Sequence, residues 1–197
     1  MASSREIRAQ IHAALSSNRG PDADGGALAA EAFCNALRSS PDGWRELMRM
    51  CAEETPDAMV SFWTLEVLTD QVRLRWAHFS AEDKDAVRRF ALAGREAQKP
   101  CMYPYIEPIY LIGHGIVVRN KQASLLAALM WADYPLAWPS LVRDVLGLAS
   151  QSQDAFSLAL RFLLALHEDV LVQAQGSQDR AVLQRVMTIV RSCLYGM

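Results

Sequence analysis

Four histidines, four cysteines and several clustered cations are the side chains here that could do chemistry. His12, His78, His114 and His167 show no H-x-x-x-H spacing, so no pair is set to share a metal on one helix face. "GHG" at Gly113–Gly115 follows an apolar stretch, as an oxyanion loop would, but no G-x-S-x-G accompanies it. A glycine-bracketed histidine is more often a plain turn. "HED" at His167–Asp169 lacks metalloprotease spacing, and the glycines form no phosphate-cradling loop. Cys34, Cys51, Cys101 and Cys193 contain no C-x-x-C, which leaves reduced thiols as the expectation. The chain is therefore expected not to be an enzyme and to carry no metal or cofactor.

The cations fall in groups: Arg73 with Arg75, Lys84 with Arg88 and Arg89, and Arg119 with Lys121. Exposed charge on a helix is most often a solvated face. With 20 basic and 22 acidic residues, the net charge is −2, against the basic surplus of a free-standing nucleic-acid binder. Binding through a local basic group is the chemistry these residues leave open.

Helices must position them. In 197 residues, 51% hydrophobic and 21% charged, the composition is that of a folded chain rather than a disordered one. No apolar run is long enough to cross a bilayer, and no membrane insertion is expected. "MASSREIRAQIHAAL" has no apolar core of the secretory kind. Apolar spacing predicts nine helices and no competing strand outside about 103–118. Residues 1–25 read as a lead-in helix with Ile7, Ile11 and Leu15 on one stripe, followed by a loop. Residues 26–197 read as the main segment, with 98–116 as an inserted loop held open by Pro100, Pro104 and Pro108. Ser80 is set to cap the helix that carries Lys84, Arg88 and Arg89.

Two predicted helices, 56–75 and 153–173, are apolar over much more than one stripe and so need neighbours on several sides. Narrower helices lie between them. A wide helix, a short linker and a narrower helix, repeated, suit a stacked α-solenoid of antiparallel pairs. The pairs are 27–38 with 42–53, 56–75 with 81–93, 117–133 with 139–149, and 153–173 with 178–194. Periodicity alone leaves a globular helical bundle open. One corner is explicit. In "DYPLAWPSLVRDVL" (133–146), Pro135 should end one helix and Pro139 begin the next, while Tyr134 and Trp138 plug the end of the core.

"RNKQASLLAALMWADYPLAWPSLVRDVLGL" (119–148) resembles the HEAT repeats of the importin-β/exportin superfamily, the karyopherins. "FWTLEVLTDQVRLRW" (62–76), ending in Arg75-Trp76, is similar to a preceding repeat. "SPDGWRELMRM" (40–50) is similar to a first inner helix, and "LALRFLLALHEDVL" (158–171) to a following outer helix. The subfamily most resembled is that of the tRNA exportins, exportin-T, over about 30–172. The resemblance implies a nuclear transport receptor segment shuttling between nucleus and cytoplasm, with Ran in its GTP form, tRNA cargo and nuclear pore proteins as partners. It implies binding, not catalysis. If the second helix of each pair lines the concave surface, Lys84, Arg88, Arg89 and Arg143 become Ran-binding candidates by position. Such receptors are several times longer than this chain, and residues 98–116 are unlike the family's connector. The competing expectation is a stand-alone helical adaptor that binds a protein partner in its groove.

Overall fold

The computed structural model describes residues 3–16, 25–53, 57–92, 115–176 and 180–195. Among the described residues there are helices and turns but no strand. The helices are α1 (Ser4–Ser16), α2 (Gly25–Ser39), α3 (Gly43–Glu53), α4 (Ala58–Arg75), α5 (Ala81–Ala91), α6 (Ile116–Asp133), α7 (Leu141–Leu148), α8 (Gln153–Gly176) and α9 (Arg180–Tyr195), with a 3-10 turn at Trp76–His78. This is the all-α, helix-pair class that the sequence predicts. The chain divides into two compact units, Met1–Gln71 and Val72–Met197.

In the first unit, α1 is part of the core. Ile7 and Ile11 are almost wholly buried, and the Cys34 thiol of α2 reaches the Gln10 carbonyl. The main partner of α2 is α1, with α3 second. The pairing of 27–38 with 42–53 is therefore the lesser of two contacts. Periodicity misses this because it shows that a stripe is apolar, not what covers it. Leu15, on the same predicted stripe, is largely exposed. Gly43 opens α3 so close to α2 that a Cβ there would lie 1.9 Å from the Leu37 carbonyl oxygen. Arg38, in the last turn of α2, pairs with Asp70 and Glu66 of α4, and the Gln71 amide donates to the Arg38 carbonyl at 2.9 Å. Asp57 starts α4 by accepting from the Met59 and Val60 N–H groups at 2.9 and 3.1 Å, and lies 2.6 Å from His12 Nε2.

In the second unit, α6 is buried around its circumference from Leu125 to Met130 and packs chiefly on α8. Arg119, early in α6, bonds Asp154, early in α8, at 2.7 Å. The two helices therefore start side by side, and α7 with its flanking turns makes the return between them. α9 then folds back on α8, burying Val186 and Ile189. Ser80 caps α5 by accepting from the Asp83 N–H at 3.1 Å.

The corner between α6 and α7 departs from expectation in one respect. α6 ends at Asp133, and the Asp133 carbonyl accepts from both Ala137 and Trp138 N–H. The Tyr134–Pro135 peptide is cis. α7 begins at Leu141 rather than Pro139. A tight turn intervenes, in which the Trp138 carbonyl accepts from Leu141 N–H and Ser140 becomes the cap position. Of the loop expected at 98–116, residues 98–114 lie outside the described residues, as do His114 and Cys101; Ile116 is already the first residue of α6.

Candidate interaction surface

The four cations expected at a binding surface have different fates. Arg88 of α5 points inward. Its Nε donates to Asp133 Oδ2 at 2.8 Å, its Nη2 lies 2.7 Å from the same oxygen, and its Nη1 donates to Asp85 at 2.6 Å. The guanidinium also lies 6.0 Å from the ring centres of Trp76 and Trp138. Lys84, one turn earlier, is half-buried with its ammonium 5.7 Å from the Trp76 ring centre. Arg89 and Arg143 are exposed, and neither has an ion pair among the described residues. Spacing explains the split. Arg88 follows Val87, whose side chain is fully buried, whereas Arg89 has turned a further 100° or so towards solvent.

Asp133, which sequence reasoning passed over, organises the region. It is only 5% exposed and accepts from Trp76 Nε1 at 2.6 Å as well as from Arg88. A buried carboxylate without such partners would be strongly disfavoured. The second missed acid, Asp144, accepts from Trp138 Nε1 at 3.0 Å and Ser140 Oγ at 2.7 Å. Tyr134 and Trp138 are each 8% exposed and Trp76 is 7% exposed; Pro135 is half-buried and Pro139 exposed. Arg185 of α9 donates to the carbonyls of Trp131 and Tyr134, groups that the end of α6 leaves without helical partners. The signal for both acids was present in the quoted stretch, since they flank its aromatics, but an aspartate beside a helix end is ordinarily read as a solvated cap.

Above this node lies an open concavity rimmed by Leu74, Trp76, Lys84, Tyr134, Leu136 and Arg185. Its lining combines exposed apolar side chains, aromatic rings and cations. No cluster of histidine, cysteine and carboxylate residues that could hold a metal exists among the described residues. The thiols of Cys34 and Cys51 are buried, and burial pushes Cys51 up to about 11, so it carries little thiolate near neutrality. Among the described residues, no helix is long and apolar enough to cross a membrane.

Residues 116–194, from α6 into α9, match the family model described as Exportin 1-like protein. Exportin-T of Mus musculus is 28% identical over 143 residues, which are 72% of this chain and 14% of that protein. Exportin-T of Arabidopsis thaliana is 24% identical over 157 residues, with the same coverage of both chains. Protein EXPORTIN 1A of Arabidopsis thaliana is 21% identical over 181 residues, 85% of this chain and 16% of that one. The chain spans about a seventh of the length of these relatives. By sequence the chain is similar to exportin-T over 72% of its length, and its helical architecture accords with that similarity.

Proposed function

We propose that this chain is part of a karyopherin-type nuclear transport receptor that binds Ran in its GTP form and, within a longer protein, carries tRNA from nucleus to cytoplasm through contacts with nuclear pore proteins. The observation that carries this reading is the similarity to exportin-T, which extends over 72% of the chain in both mouse and plant relatives. The side chains available fit a binding role: Arg89 and Arg143 are exposed on α5 and α7, with Lys84 one turn from Arg88. The action is binding alone. GTPase and cargo each favour the conformation that the other binds, so that each raises the other's affinity, and the nucleotide state of Ran gives direction. The adaptor reading has no observation of its own in its favour.

The test is a titration of the chain with Ran loaded with GTP and, separately, with GDP, at physiological salt. The GTP form should bind measurably tighter, and Arg89→Glu combined with Arg143→Glu should weaken it by about tenfold while helicity is unchanged. Equal binding of the two nucleotide forms, or no effect of the double charge reversal, would remove this function from these residues.

A further inference from the structure

The concavity of the second unit has a feature that the node beneath it does not explain. Leu74, near the end of α4, is 77% exposed, and Leu136, in the α6–α7 corner, is 93% exposed. Both line the same concavity, together with the exposed Ala77, Ala132 and Ala137. A single exposed leucine means little, but two on one rim make an apolar surface that water leaves unsatisfied.

The charge around it is one-sided. Lys84 lies over the Trp76 ring and has no carboxylate partner among the described residues. Arg185 has its Nη2 fixed by two backbone carbonyls, which do not neutralise it. Arg73, half-exposed, is paired with Asp169 only at 3.7 Å. The one acid in the lining, Asp133, is already held by Arg88 and Trp76. Three cations and two exposed leucines thus surround a floor of tryptophan and tyrosine.

We infer that this concavity docks a short linear peptide segment in which apolar side chains alternate with carboxylates. The leucines and the aromatic floor take the apolar side chains, and Lys84, Arg185 and Arg73 take the carboxylates, which fix register and speed encounter. A purely acidic ligand leaves the leucines uncovered, and a purely apolar one leaves the cations unmatched. Lys84 is shared with the Ran candidates, but the anchors, Leu74 and Leu136, are not, so an effect of Leu136→Asp on the peptide is distinguishable from a failure of Ran binding.

The experiment uses the whole chain and a fluorescein-labelled synthetic peptide of alternating leucine and glutamate, read by fluorescence polarisation at physiological salt. Saturable binding is expected, weakened about tenfold by Leu136→Asp and by Leu74→Asp. Both positions are exposed, so circular dichroism and the thermal midpoint should stay unchanged. Lys84→Glu should weaken this peptide and strengthen its leucine–lysine counterpart. No saturable binding, equal affinity for a leucine-free glutamate peptide, or indifference to Leu136→Asp would each overturn the proposal. So would self-association of the chain that Leu136→Asp abolishes, because the surface would then belong to a second copy. Binding of tRNA with the same dependence on Leu136 would assign it to nucleic acid and overturn the proposal equally.

Discussion

Arg88 and Arg89 are neighbours in sequence and have opposite tasks. Arg88 is held by Asp133, Asp85 and two tryptophan rings, while Arg89 is exposed. Removing one partner of a buried pair leaves the other charge uncompensated, at a cost of about 3–5 kcal/mol. Arg88→Ala should therefore lower the midpoint of urea unfolding sharply, whereas Arg89→Ala should change the unfolding free energy by no more than about 0.5 kcal/mol. Equal effects would mean that the Asp133 node contributes nothing particular. Helical spacing sets the two arginines about 100° apart on α5. It does not reveal that the inward one meets Asp133, 45 residues away.

At the scale of elements, the corner was readable because its signals are local. Proline bars helix continuation, and aromatics beside it have a hydrophobic core to cap. The start of α7 was displaced because the turn at 138–141 forms through hydrogen bonds that proline placement alone does not specify. Trp138 is 8% exposed and bonds Asp144, so Trp138→Ala should cost about 3–5 kcal/mol in chemical denaturation. A near-neutral result would show that the ring is dispensable to the corner. The start of α4 has its own pH dependence. Burial pushes the Asp57 carboxyl up, but the Val60 and Met59 N–H groups and His12 outweigh it and hold it below the ordinary aspartate value. A carboxyl lowered on folding stabilises the fold above its unfolded value, and that contribution fades as pH falls through the lowered one. Asp57→Ala should cost about 1 kcal/mol near neutrality, as loss of a helix cap does, and progressively less in acid. A cost independent of pH would show that the charge of Asp57 is not involved.

At the scale of the molecule, the helical class was legible because wide apolar arcs recur, while the role of α1 was not. Its two buried isoleucines look the same in sequence whether they cover α2 or a distant surface. Charge adds a prediction for the proposed tRNA cargo. Tight tRNA capture requires many phosphates to be neutralised, and each one steepens the salt dependence. With 20 basic against 22 acidic side chains, this chain has no broad positive field. It should bind tRNA only weakly by itself, with Kd weaker than about 1 µM at physiological salt and a shallow slope against salt. Submicromolar binding without Ran would place the cargo site within these residues.

The approach of α3 to α2 also sets a limit on permissible variation. At Gly43 the obstacle to any side chain is the Leu37 carbonyl oxygen, and a backbone atom cannot swing aside as a flexible side chain can. In a saturation library sorted for folded protein, this position should retain a single letter. Even alanine, the smallest replacement, should be depleted as strongly as phenylalanine. Exposed Asp42, immediately before it, should accept most substitutions. Recovery of alanine at 43 with an unchanged melting temperature would show that the two helices can part without loss. Its depletion would make Gly43 a fixed landmark by which divergent copies of this α2–α3 junction could be aligned.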